Sequence, residues 1–173
     1  MGITTVWNDL LIFSKWLETT RLSHLMAGGW KWGWPACETL HFIGLSMLLG
    51  CIGMVDLRML GVGKSMPGGP VHKLVPWAIA GFLMNAVTGV LFFIGAPHQY
   101  VKNIAFLFKM LFLVVAGLNI LLFYTTGMLR KVETLGPGED APAGAKVISA
   151  VSIFSWIMVL YWGRMLPFVG NAF

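Results

Sequence analysis

Four stretches of this chain, Ala36 to Val55, Leu74 to Ala96, Ile104 to Met128 and Val147 to Gly170, are almost continuously apolar. Each is long enough to cross a hydrocarbon layer about 30 Å thick, which takes about 20 helical residues. In lipid a backbone N–H or C=O has no water to bond, so a spanning segment closes its hydrogen bonds within itself as a helix. Turn and charge signals bound the spans. Pro35 opens the first, and Asp56 and Arg58 close it; Gly61 to Gly69 is a short loop; Ala96-Pro97-His98 ends the second span; the longest loop begins at Leu135 and is rich in Gly and Pro. Short loops make consecutive spans alternate in direction. The expected fold class is therefore all-α: an integral membrane four-helix antiparallel bundle forming one domain over residues 1–173.

Ahead of the first span, Val6 to Met26 (6–26) repeats apolar residues at helical spacing, with Asp9, Lys15, Glu18 and Arg21 between them. That pattern predicts an amphipathic interfacial helix rather than a fifth span. Trp30, Trp32 and Trp34 follow, where an aromatic belt meets the bilayer surface. Asp9, Lys15 and Glu18 interrupt any continuous apolar run before Thr20, so no cleaved secretory signal is expected there. The chain is 57% hydrophobic and 11% charged, which excludes an ordinary soluble domain and a disordered segment, and its net charge of +5 is not gathered into a nucleic-acid-binding face. Cys37 and Cys51, 14 positions apart on one expected helix, stand roughly 21 Å from each other, too far for a disulfide.

Basic residues set the expected orientation. Arg58, Lys64, Lys73, Arg130, Lys131 and Lys146 lie on the side of the first-to-second and third-to-fourth loops, against Lys15, Arg21, Lys31 and Lys102 on the other. The excess places the first group in the cytoplasm and both termini in the periplasm of a bacterial inner membrane. No internal repeat is visible, and Gly81, Gly89, Gly117 and Ala80 are expected where spans approach closely.

Ionisable groups inside apolar spans cost about 2.5 to 3.5 kcal/mol each at mid-span, so those present carry the functional information. Glu38 and His41 share a face of the first span, Lys109 lies early in the third and Arg164 late in the fourth, which brings all four to one level near the outer end. Two readings of this layer stand. Lys109 and Arg164 either reach lipid phosphates with Glu38 pairing one of them, or the four groups enclose a cofactor. His41 is likewise either a hydrogen-bonded structural residue or the metal ligand of a b-type haem, with Lys109, Arg164 or Lys102 holding propionates and His98 or His24 as second ligand. Met26 and Met47 are weaker ligand candidates, and His72 lies at the opposite end. Asn85, Thr88 and Asn119 read as interhelical hydrogen-bond groups, and Asp56 with Arg58 as anchors of the first span. The 11 Met residues form no copper relay, and no phosphate loop, zinc motif or nucleophilic triad occurs.

The stretches Glu38-Thr-Leu-His41, Val55-Asp-Leu-Arg-Met-Leu-Gly61, Leu74-Val-Pro-Trp77, Thr88-Gly89, Phe108-Lys109-Met-Leu and Ala116-Gly-Leu-Asn119 resemble an uncharacterised bacterial family of four-span inner-membrane proteins. In outline that family is similar to the copper-resistance D domain and to haem-containing protoporphyrinogen-oxidase-like membrane proteins. The latter pair a first-span His with a third-span Lys, matched here by His41 and Lys109. The resemblance implies a bundle holding haem near its outer face.

The leading expectation is thus a small membrane redox subunit with haem b, passing electrons between a periplasmic partner and the quinone pool, Glu38 orienting the imidazole or relaying a proton. The alternative is a cofactor-free accessory or assembly subunit of a larger inner-membrane complex. A permease fits less well, because no midplane polar path or pair of broken helices is apparent.

Overall fold

The computed structural model describes residues 2–169, with side chains from residue 8 onward. The Val6 side chain and Gly170, the outer limit of the expected fourth span, lie outside the described residues. Among the described residues nine α-helices follow one another: α1 (Gly2–Glu18), α2 (Arg21–His24), α3 (Gly33–Leu60), α4 (Gly68–His72), α5 (Val75–Gly95), α6 (Pro97–Val101), α7 (Ile104–Thr125), α8 (Met128–Glu133) and α9 (Ala143–Met165). No strand occurs among the described residues. Helices α3, α5, α7 and α9 correspond to the four expected spans and are long and apolar enough to cross a membrane, although α5, α7 and α9 end at Gly95, Thr125 and Met165, short of the expected Ala96, Met128 and Gly170.

The exposed surface is rich in large apolar residues, and the interior mixes apolar residues such as Leu48, Val55, Met59 and Trp156 with small polar ones. On α9 the buried positions include Ser149, Ser152 and Ser155, while Val147, Phe154, Ile157 and Leu160 face outward. On α7, Val114, Leu118 and Leu121 are all exposed, and Asn119 is buried. A solvent of hydrocarbon chains gives apolar side chains no reason to cluster inside, so close packing and hydrogen bonds select the interior instead.

Helix α3 packs along α5 and against α9, and α9 packs along α7. The spans therefore form an arc in the order α5, α3, α9, α7, and its two end helices share no extensive interface. The tightest crossing is between Gly44 and Gly81. A Cβ on Gly81 would lie 2.6 Å from the Gly44 carbonyl oxygen, and one on Gly44 would lie 2.9 Å from that of Gly81. Gly81 thus acts as expected, and Gly44, which the sequence reading did not single out, is its partner. Gly117 does not: its missing side chain faces open space, and Ala80 is exposed.

The first span is longer than expected at both ends, because Trp32 opens α3 and Gly61 closes it in the left-handed region at φ 99°. The Gly61 amide bonds to the Arg58 carbonyl at 3.1 Å and the Val62 amide to that of Leu57 at 2.9 Å, a Schellman-type stop. Lys146, expected just before the fourth span, lies inside α9, which starts at Ala143. The N-terminal amphipathic helix is two helices rather than one. Thr20 takes an extended conformation and caps α2 by accepting the Ser23 amide at 3.3 Å, and a π-helical turn at Leu25–Gly29 leads to α3. Helix α1 rests on α6, so it covers the end of the bundle at which α3 begins.

Asp56 and Arg58 depart furthest from the role expected of them. Rather than anchoring the span at a surface they are 2% and 1% exposed. The Arg58 guanidinium donates through Nε to the Met66 carbonyl, through Nη1 to that of Glu139 at 3.3 Å, and through Nη2 to those of Gly136 and Glu139, each at 3.2 Å. One side chain therefore gathers both loops at this end. The Gly68 amide adds a bond to the Leu135 carbonyl at 2.9 Å and the Gly138 amide one to that of Lys64 at 2.7 Å.

Candidate functional site

His41 stands half-buried between α3 and α5. Its Nδ1 lies 2.7 Å from the Thr88 hydroxyl oxygen. The same hydroxyl reaches the Met84 carbonyl at 2.7 Å; with its one proton donated there, the imidazole donates Nδ1–H and keeps its lone pair on Nε2. Nε2 makes no hydrogen bond among the described residues. A fixed Nδ1–H tautomer with an available Nε2 is the state in which histidine binds a metal. Phe92 meets the ring edge-on at 5.5 Å and in turn packs on Trp34 at 4.8 Å. Gly89 leaves room at the ring's other flank, since its Cβ would come within 4.0 Å of His41 Cε1. Thr88, read from the sequence as an interhelical hydrogen-bond group, is therefore the residue that orients the imidazole; Glu38 is exposed and does not.

Lys109 reaches the same region from α7. Its ammonium lies against Gly163 of α9, 3.6 Å from where a Cβ would stand, and within electrostatic range of the His41 ring. The expected compensating cluster does not close. Among the described residues neither Glu38 nor Arg164 forms an ion pair, and the exposed Arg164 guanidinium sits over the Phe168 ring at 5.3 Å. The remaining histidines are grouped apart from His41. His24 and His98 line a shallow open groove with Lys15 and Glu18, where α2 meets the end of α5. His98 follows Pro97, beyond the end of α5, whereas Thr88 lies seven residues inside it, roughly 10 Å along the helix. No group of three or more His, Cys, Asp or Glu side chains fit to hold a metal ion occurs among the described residues.

Around this end, aromatic and amide contacts hold the loops. Tyr100 packs on Phe93 and Phe106, and burial, with the neighbouring Cys37 adding to it, pushes its hydroxyl up to about 12. It stays protonated at neutral pH. Asn103 caps α7 through the Ala105 amide at 2.9 Å and donates to the Leu166 carbonyl at 2.8 Å, which ties the α6–α7 turn to the end of α9.

At the opposite end all four spans enclose a cavity of about 250 Å³. Its wall is apolar except for Asp56 of α3, Asn119 of α7, Ser152 of α9 and the polar edges of Trp156 and Tyr124. The Asn119 amide is used in the bundle, donating to the Ile148 carbonyl at 2.9 Å. Ser149 and Ser152 stand beside the Asp56 carboxylate, Ser149 also donating to the Ala145 carbonyl at 2.9 Å. Asp56 Oδ2 and Trp156 Nε1 are both buried without a partner among the described residues. The sequence reading missed this site. Its available signal was Asp56 itself, an acidic residue at the close of an apolar span, together with the serines spaced three apart on α9.

No family model, curated protein or solved structure matches the chain.

Proposed function

We propose that this multi-pass membrane protein is a small redox subunit of the bacterial inner membrane that holds b-type haem through His41, near the periplasmic face. One observation carries the reading: the Thr88 hydroxyl engages His41 Nδ1 at 2.7 Å, and Nε2 has no hydrogen bond among the described residues. Lys109, whose ammonium lies against Gly163 of α9, would offer a cation to a propionate. When bound, the haem would supply a one-electron centre; the chain orients its ligand through the Thr88 hydroxyl and packs Phe92 against the imidazole. His24 and His98 would not hold the same group as His41, because they share their own groove at the end of the bundle. Electrons pass between a periplasmic partner and the quinone pool, with both termini outside.

The test is the absorbance of the protein purified from its native membrane and reduced with dithionite. An α-band of the b-haem type is expected, lost in His41→Ala, and shifted in midpoint potential in Thr88→Val through the changed basicity of the ligand. Absence of both pigment and iron would overturn the reading.

The separation of His24 and His98 from His41 favours one other reading, a cofactor-free accessory subunit of a larger inner-membrane complex. It requires His41→Ala to leave assembly and partner activity intact, with disruption of α1 releasing the chain from its complex.

A further inference from the structure

Helix α1 presents three strips. Ser14 is fully buried, and α1 rests on α6. Opposite Ser14 on the helix, Ile12 and Trp16 are 66% and 60% exposed, the placement of side chains that enter the boundary between lipid headgroups and acyl chains. Lys15 and Glu18 occupy the strip between these two. Both line a groove of about 640 Å³ between α1 and the junction of α5 with α6, and its other polar lining is Ser23, His24, His98 and Gln99. The floor is packed: at Gly95, Met26 and Trp34 stand 3.0 and 3.3 Å from where a Cβ would lie. The groove is therefore a surface site rather than a path into the bundle.

Neither charge is used within the chain. Lys15 and Glu18 form no ion pair among the described residues, with each other or with any other group. One cation and one anion a helical turn apart, with roughly 5 to 6 Å between their Cβ atoms, are complementary to a ligand that carries both charges at similar spacing. A phosphoethanolamine headgroup does so, its phosphate and primary ammonium being separated by two carbons. The phosphate accepts charge-assisted bonds from the Lys15 ammonium and an imidazole N–H of His24 or His98, and the ammonium donates to the Glu18 carboxylate and the Gln99 amide oxygen. Other common headgroups leave one charge unanswered. A choline ammonium has no N–H to give Glu18, and a phosphoglycerol has no cation at all.

We propose that this groove holds the headgroup of one phospholipid of the ethanolamine class, its phosphate on Lys15, its ammonium on Glu18 and its acyl chains beside Ile12 and Trp16. The site uses neither His41 nor haem, so it stands or falls apart from the redox reading.

Native mass spectrometry of the full-length protein in detergent micelles tests this, with ethanolamine, choline and glycerol phospholipids of identical acyl chains titrated in turn. One ethanolamine lipid is expected to bind at least about tenfold more tightly than its choline counterpart, the difference made by hydrogen bonds from its ammonium. Glu18→Gln is expected to bring the ethanolamine lipid to the level of the choline lipid. Lys15→Gln is expected to weaken all three, because the phosphate is common to them. Both side chains are exposed and unpaired, so unchanged thermal unfolding is expected in each variant. Equal binding of the ethanolamine and choline lipids, or ethanolamine-lipid binding indifferent to either substitution, overturns the proposal. So does binding of water-soluble phosphoethanolamine as tight as that of the lipid, which would make a free solute the occupant.

Discussion

A single buried cation shows how differently a charged residue behaves once a loop folds over it. Arg58 is satisfied by three backbone carbonyls from two loops, those of Met66, Gly136 and Glu139, rather than by a carboxylate. Its planar fork suits divergent acceptors in a way that a lysine ammonium does not. Arg58→Met is expected to destabilise the protein by about 2 to 4 kcal/mol, because the carbonyls it leaves behind stay buried and unpaired; thermal unfolding in detergent with a two-state control measures it. Arg58→Lys is expected to recover only a minority of that loss. At the same scale His41 was legible as a residue of interest from its position in an apolar span, and its orientation by Thr88 was not, because a hydrogen bond across two helices depends on their rotation about their own axes. Glu38 illustrates the converse: three positions from His41 on one helix, it shares a face by spacing, yet it is exposed and the ring turns to α5 instead.

Between residues and the whole, the α3–α5 pair depends on two glycines and the Asp56-end loops on one carboxylate. Gly81→Ala forces a Cβ to 2.6 Å from the Gly44 carbonyl oxygen and 2.7 Å from the Leu48 amide nitrogen, neither of which is a flexible side chain. The helices must part, at an expected cost of about 1 to 3 kcal/mol, read as a lowered unfolding temperature; Gly117→Ala, on an open face, is the matched control and is expected to be close to neutral. In the long loop, Asp140 accepts from Lys146 at 2.7 Å and pairs with Lys64 at 3.2 Å. These bonds, that of Lys146 first, hold its carboxyl below the ordinary carboxylate range. A folded value below the unfolded one means the unfolded chain takes up the proton first as pH falls. The stabilising contribution is therefore complete above the ordinary carboxylate pKa of about 3.9 and disappears as pH drops through the lower folded value. Hydrogen exchange at the Gly138 amide, which bonds the Lys64 carbonyl, is expected to quicken across that acid window in the natural chain and to be fast already at neutral pH in Asp140→Asn.

Taken whole, the molecule has six basic residues, Arg58, Lys64, Lys73, Arg130, Lys131 and Lys146, at the end that holds the cavity. One of them, Arg58, is buried in the loop junction, and two others pair with Asp140, so the surface bias is narrower than a count along the sequence implies. The inward-positive orientation is nevertheless the expected one, since insertion reads the charges before the loops have folded. Exposed positions at the two ends test it: in intact cells a membrane-impermeant maleimide is expected to label Gln99→Cys and to spare Ser65→Cys until the membrane is permeabilised. The reverse labelling would place the His41 site on the cytoplasmic side.

The number, length and approximate limits of the membrane-crossing helices were legible in the order of residues, because each span must satisfy its own backbone and display an apolar surface to lipid, and both demands are local. So was the loop beginning at Gly61, although α3 runs past the expected Val55 to reach it. What tertiary structure alone decided is which helix faces meet. In lipid apolar stripes do not mark an interior, so neither the pairing of Gly44 with Gly81, nor the bond from His41 to Thr88, nor the chamber shared by Asp56 and Trp156 could be read from periodicity. Those depend on how four helices rotate and settle against one another, and only the packed arrangement brings residues from distant parts of the chain to one place.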